Sequence, residues 1–187
     1  PANLGIMVQE NYVYVLGDFT HEDGRTEKLL IVKPLVEAFT AKTGFKLSGG
    51  GVEFKGSALA GSLAQHPFLD RTSKVICTEF VTDDTGTGQV HTAPGHGKED
   101  YIAGQKNGLG LLSPVDDDGK FTADSGLDGT NGLPNLTGTL VFEANGPIIK
   151  VLAERGALLG KENYKHDYPH CWRSKTPIIF RSVNQFF

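Results

Sequence analysis

The chain has 187 residues, enough for one domain of ordinary size with a real hydrophobic core. With 39% hydrophobic and 21% charged residues, and no apolar run near the ~20 residues that a membrane helix needs, the sequence argues against a helical membrane span. A net charge of −4 argues against a general nucleic-acid binder, which needs a Lys/Arg excess for counterion release; a protein touching only a nucleic-acid terminus does not.

The chain opens Pro1-Ala2-Asn3 without an initiator Met or a signal peptide, and reads as an excised piece of a longer protein. Tyr12–Leu16 and Lys28–Val32 read as strands joined across His21-Glu22-Asp23-Gly24. Pro34 stands where a helix would start, Leu35, Val36 and Phe39 recur at helical spacing, and Gly44 ends the run. Val52–Lys55 is a further short strand. Lys74–Thr82 is β-rich, with Val75, Cys77 and Val81 on one face and Ile76, Thr78, Phe80 and Thr82 on the other.

After the turn 83–88, Gln89–Ala93 is a strand halted by Pro94, and a helix is predicted from Gly97 to Asn107 with Glu99 and Asp100 in its first turn, where the dipole favours anions. Leu109–Val115 and Lys120–Thr122 read as a hairpin around Asp116-Asp117-Asp118-Gly119, and residues 124–138 as a Gly/Asn/Asp loop. A second helix runs from about Pro147 to Arg155 and stops at Gly156; Leu158–Leu159 and Thr176–Val183 close the set. Short strands outnumber helices without βαβ alternation. The fold class is therefore mainly β with α, a small barrel-like core with helices packed outside.

Two cysteines, Cys77 and Cys171, make no disulfide framework and suit a reducing cytosol. The stretch from Lys161 to Arg181 is locally basic, through Lys161, Lys165, Arg173, Lys175 and Arg181, which a solvated face explains as well as an RNA contact does.

The densest polar constellation is Gly86-Thr87-Gly88-Gln89-Val90-His91-Thr92-Ala93-Pro94-Gly95-His96-Gly97-Lys98-Glu99-Asp100-Tyr101. A metal site of His91, His96 and Asp100 would have irregular spacing, and Pro94 prevents a shared helix face. A phosphate-cradling loop would need a Walker or Gly-x-Gly-x-x-Gly pattern, and both are absent. A Gly-rich elbow whose acids cap a helix is the bland alternative.

This run resembles the insertion of bacterial-type isoleucyl-tRNA synthetases that hydrolyses mischarged tRNA. Further agreement comes at Pro1–Ile6, from Lys55-Gly56 through Pro67-Phe68, at Phe142-Glu143-Ala144-Asn145, at Tyr168–Arg173, and at the ending Thr176–Arg181. The resemblance covers the whole chain, and implies one editing domain over 1–187 with the family's editing-domain fold and with 164–187 as the return toward a catalytic domain. It also implies hydrolysis of valyl-tRNA(Ile), the 3′ end of isoleucine tRNA and the rest of the parent synthetase as partners, and a cytoplasmic or organellar location.

On that resemblance Asp100 pairs the substrate's α-ammonium, a cation that must leave water. His91 walls the side-chain pocket so that valine fits and isoleucine does not, and Asn3 bonds the ribose or the attacking water. Thr82, Asp84 and Thr85 flank the site, and Thr92 adjoins it. No metal or other cofactor is expected in this domain, since Ser174 stands where some relatives carry a zinc-ligating Cys; ATP and Mg belong to the parent. A Thr-rich segment precedes Pro-Ala-Asn in the family, so the chain could bind substrate better than it hydrolyses it. A non-catalytic grip on the acceptor end, or a structural insertion, is the rival.

Overall fold

The computed structural model describes residues 1–162 and 167–183. Contacts divide the chain into two compact units: a sheet unit of Gly5–Ala64 and Ser73–Thr92, and a loop-rich unit of Pro1–Leu4, Gln65–Thr72 and Ala93–Phe187.

In the sheet unit the strands are β1 (Gly5–Val8), β2 (Val13–Thr20), β3 (Thr26–Val32), β4 (Lys46–Lys55), β5 (Leu63–Gln65), β6 (Thr72–Cys77) and β7 (Val90–Thr92). They form one sheet in the order β5-β6-β1-β7 and another in the order β3-β2-β4. β1 runs parallel to β6 and antiparallel to β7, and the second sheet is antiparallel throughout. The mainly β reading with few helices holds, and among the described residues the strands pair into two sheets, with no closed barrel.

The hairpin turn between β2 and β3 lies where the sequence placed it. His21 N–H donates to Arg25 O at 2.8 Å, and Gly24 takes the left-handed conformation at φ 88°. Asp23 accepts the backbone N–H of Arg25 and its guanidinium, which together hold the Asp23 carboxyl at about 2. The helix predicted after Pro34 is a 3-10 turn followed by α1 (Val36–Thr43), closed by Gly44 in the left-handed region. Phe39 on α1 meets Phe19 on β2 edge-to-face, ring centroids 5.9 Å apart.

In the sheet unit β2 runs on to Thr20 past the predicted Leu16, β1 and β5 have no counterpart in the sequence reading, and β4 and β6 differ in extent. β4 begins at Lys46, six residues before the predicted start, because the Gly49-Gly50-Gly51 run that reads as a break is accommodated by a bulge opposite Leu16–Asp18. There Gly51 has no room for a side chain: a Cβ would lie 2.4 Å from Val15 Cγ1. β6 stops at Cys77, and its faces alternate only over its first four residues: Thr72 and Lys74 are exposed and Ser73 and Val75 buried, while Ile76, on the face of Lys74, is buried as well; its edges are covered by β5 and β1. Thr78 still donates its N–H to Val8 O, after which the chain leaves the sheet.

The loop-rich unit contains α2 (Lys98–Asn107) and α3 (Asn145–Glu154), both within three residues of their predicted ends. The hairpin expected around Asp116–Gly119 is reduced to a tight turn and one bridge, Val115↔Phe121. Pro114 has no N–H for a ladder, and residues 109–113 remain irregular. Thr176–Val183 is also irregular, apart from the bridge Pro177↔His170. Lys165 and parts of the return segment 164–187 lie outside the described residues.

The loop 124–138 carries more than its composition suggests. Leu127, Leu133 and Leu136 are buried in a core with Val115, Phe121, Ala144 and Val151, against which Phe68, Val141 and Ile148 pack. Its backbone closes on itself, with Leu136 N–H on Leu127 O at 2.7 Å, so burying the leucines strands no polar groups there. Leu127→Ala should cost about 2–5 kcal/mol of unfolding free energy. Chemical denaturation of wild type and variant measures it, and a cost under about 1 kcal/mol would show that this loop is not a core element.

Candidate active site

β7 ends where Pro94, which lacks an amide hydrogen, cannot extend a ladder. The chain then turns through 93–97: His96 N–H donates to Ala93 O at 2.8 Å, and Gly97 is the extended residue before α2. No side chain caps the helix from Gly97. Instead Asp100, in the first turn, reaches back past the cap, and its Oδ2 accepts the Ala93 N–H at 2.8 Å. Asp100 stands at the position of a capping-box acid, but the amide that it accepts belongs to Ala93, four residues before the N-cap, so it ties the preceding strand end and not the helix's own first amides.

The elbow is packed to the limit of glycine. A Cβ on Gly95 would lie 2.3 Å from Leu112 O, and one on Gly104 would lie 2.7 Å from Pro94 Cγ. Residues 180–182 close on the same elbow. Ser182 N–H donates to Gly95 O at 2.8 Å, and His96 Nδ1 lies 2.9 Å from Phe180 O. A carbonyl only accepts, so Nδ1 is the donor of that contact, and Nε2 is buried with no hydrogen-bond partner among the described residues. Arg181 is fixed in turn by Val115 O at 3.1 Å and by Asp117. A cavity of about 310 Å³ lies there, lined by the elbow, Tyr101 and Phe180.

Before the elbow, Gly86-Thr87-Gly88 is bolted to the sheet unit. Val32 N–H donates to Thr87 O at 2.9 Å, and the Tyr14 hydroxyl donates to Gly88 O at 2.6 Å. Tyr14 is completely buried, which pushes its phenol pKa up and keeps it a donor. Gln89 also holds Leu30 O through its side-chain amide. Gly88 is left-handed at φ 75°, and a Cβ there would fall 2.4 Å from Val32 Cβ.

Of the predicted site residues, Asn3 and Asp100 belong to the loop-rich unit, and Thr82, Asp84, Thr85, His91 and Thr92 to the sheet unit. Thr82, Asp84 and Thr85 do come together. The Thr82 hydroxyl donates to Asp84 Oδ1 at 2.6 Å, and with Thr85 it holds the Asp84 carboxyl below the ordinary carboxylate range. His91 is exposed on β7 in register with Ile6 of β1, and Asn3 is half-buried just before β1. Thr92 is wholly buried, and its hydroxyl donates to Val90 O at 3.2 Å. Gly97, the Ala93 amide and Tyr14 were missed; the signal for the first two was an acid three residues beyond a glycine at a helix start.

Among the described residues no group of three or more His, Cys, Asp or Glu converges as metal ligands would. No described helix is long and apolar enough to cross a membrane. Cys171 is a free thiol whose pKa is pulled down by the Ser174 hydroxyl and neighbouring amides.

No family profile matches the sequence. Isoleucine–tRNA ligases do: that of Persephonella marina is 46% identical over 190 residues, that of Sulfurihydrogenibium sp. 47% over 189, and that of Thioalkalivibrio sulfidiphilus 46% over 190. Each alignment takes in 100% of this chain. The chain corresponds to one segment of the isoleucine–tRNA ligases. It spans only 18–19% of the length of these relatives. Among solved structures it is similar to GlLeuRS-CP1, with a TM-score of 0.59 at 12% identity, over 83% of this chain and 76% of that one. That likeness establishes the fold.

Two outcomes follow for this part of the ligase segment. Gly88→Ala combines a left-handed backbone with a clash against a β-branched neighbour, and should cost about 2–4 kcal/mol by denaturant titration; a neutral result would mean that the 86–88 loop is free to move away from Val32. Thr82→Val should raise the Asp84 pKa, read by NMR titration. Because the folded value is the depressed one, Asp84 stabilises the fold above the ordinary carboxylate range, and that contribution is lost as pH falls through the folded value. An unchanged Asp84 pKa would remove Thr82 as its cause.

Proposed function

We propose that this chain is the editing domain of an isoleucine–tRNA ligase, removing valine wrongly esterified to isoleucine tRNA. The observation that carries the reading is the end-to-end match, at 46–47% identity, to isoleucine–tRNA ligases in a chain with the CP1 fold. On this reading both units act as one domain over 1–187, with 164–187 returning toward a catalytic domain. Synthesis of isoleucyl-tRNA, with its ATP and Mg, belongs to the rest of the ligase. The partners are that remainder and the acceptor end of the tRNA, and the compartment is the cytoplasm or an organelle.

The chemistry asked of the domain is modest. Water adds to the carbonyl carbon of the valyl ester, the bond to the ribose oxygen breaks, and that oxygen leaves with a proton as the free tRNA hydroxyl. The ester is already activated, so positioning and electrostatics can supply the rate without a covalent intermediate. Asp100 keeps Oδ1 for the substrate ammonium while Oδ2 is held by Ala93. His91 walls the side-chain pocket, Asn3 holds the ribose or the water, and the Thr82, Asp84 and Thr85 cluster flanks them.

A second sieve is needed because one methylene in an apolar pocket is worth only about 1–3 kcal/mol; isoleucine against valine is the usual illustration of that limit. Rejecting the larger ester by clash is the stronger discrimination. The rival is a non-catalytic grip on the acceptor end, and the Ala93 bond favours it to the extent that it gives Asp100 a purely structural task.

Asp100→Asn separates the two in the full-length ligase, because an amide oxygen can still accept the Ala93 N–H while the charge is gone. Deacylation of Val-tRNA should fall about 10- to 100-fold, as expected for a charged hydrogen bond of ~1.5–3 kcal/mol, with aminoacylation near normal. Unchanged deacylation would eliminate the ammonium role. His91→Ala should let Ile-tRNA be hydrolysed as well; general loss of activity would make His91 chemical rather than steric.

A further inference from the structure

Gly97 carries an unusual constraint. Its backbone is ordinary extended chain, φ −150° and ψ 145°, which any residue adopts, so conformation does not require glycine there. Nor does a crowded backbone require it. What a Cβ would meet is the Asp100 side chain: Cγ at 3.0 Å, Oδ2 at 3.2 Å and Cβ at 3.3 Å. That carboxylate is the group whose Oδ2 accepts the Ala93 N–H at 2.8 Å.

We infer that Gly97 is a positioning residue for the Asp100 carboxylate, leaving the space in which Oδ2 docks on the Ala93 amide so that Oδ1 is presented to the substrate ammonium. The inference rests on the editing reading for what Oδ1 binds, and on geometry alone for how it is held. The other elbow glycines differ in kind: Gly95 is crowded by the Leu112 carbonyl and Gly104 by the Pro94 ring, so side chains there displace backbone or a rigid ring. At Gly97 the obstacle is the Asp100 side chain, its Cβ and Cγ as well as Oδ2, and no backbone of another segment. An alanine is therefore tolerated by the fold while the carboxylate yields slightly and its bond to the Ala93 amide loosens. Fold and activity separate at this position, as they do not at Gly95 or Gly104. Since misplacement by about 1 Å costs ~100-fold in rate, a shift of a fraction of that costs several-fold.

The test is Gly97→Ala in the full-length ligase, with Gly146→Ala as control; Gly146 lies on α3 with open space where its Cβ would go. Gly97→Ala should lower kcat/KM for Val-tRNA deacylation about 3- to 10-fold, leave aminoacylation unchanged, and shift Tm by no more than about 4 °C. On the 187-residue chain, hydrogen exchange at the Ala93 amide should speed up in Gly97→Ala and not in Gly146→Ala. Normal deacylation by Gly97→Ala, or loss of deacylation with Ala93 exchange unchanged, overturns the positioning role. Unchanged deacylation in Asp100→Asn would instead remove the ammonium role of Asp100, and absence of Val-tRNA deacylation by the wild-type ligase would sink the editing reading; a faster-exchanging Ala93 amide in Gly97→Ala would still stand as the geometric result in either case.

Discussion

The hydrogen bond from the Ala93 amide to Asp100 Oδ2 joins the end of a strand to the first turn of a helix, across a proline and two glycines that offer little regular structure of their own. The elbow's conformation depends on it. Pro94 gives no N–H, and the amides at the start of α2 have no side-chain cap. A carboxylate in that first turn is favoured by the helix dipole before it makes any contact, so anchor and charge arise from one residue. Gly97 beneath Asp100 leaves the space that this bond occupies, while Gly95 beneath Leu112 O and Gly104 beneath Pro94 let the elbow pack closely around it.

The same logic holds upstream. The Gly86-Thr87-Gly88 turn is tied by Val32 N–H and the buried Tyr14 hydroxyl, so the start of the motif is set by the sheet rather than by its own turn. β7 is only three residues long and pairs with β1 alone. A strand that short is weakly held by its own ladder. The fixed turn before it supplies what the ladder lacks.

Elements with a local physical cause were legible in the sequence. The Asp23-Gly24 turn, Gly44 after α1, Pro94 after β7 and the acidic first turn of α2 each read correctly, because backbone conformation or charge was decided by the residue itself. What failed was set by partners distant in sequence. The length of β4 depends on a bulge facing β2, and the end of β6 at Cys77 on the end of its parallel partner β1 at Val8. The 124–138 loop misleads for a related reason: its Gly, Asn and Asp residues mark turns correctly, and those turns deliver three leucines to a core. Among site residues, Asp100 and His91 were singled out from the motif they share with a family, whereas Gly97 emerges only when a missing Cβ is measured against a carboxylate.

Net charge and proposed partner are reconciled by the size of the contact. A chain of charge −4 gains little from counterion release along a polyanion, and the motif itself carries Glu99 and Asp100. A domain that recognises one esterified amino acid needs no broad positive field. It needs one carboxylate for one ammonium, held where burial of the cation is compensated. A single carboxylate attracts the positive end of an aminoacyl ester and not the phosphates, so it favours the cationic terminus over the polyanionic body of the nucleic acid. The value of that carboxylate depends on its direction more than on its ionisation, and direction is what the Ala93 amide and the bare Cα of Gly97 provide.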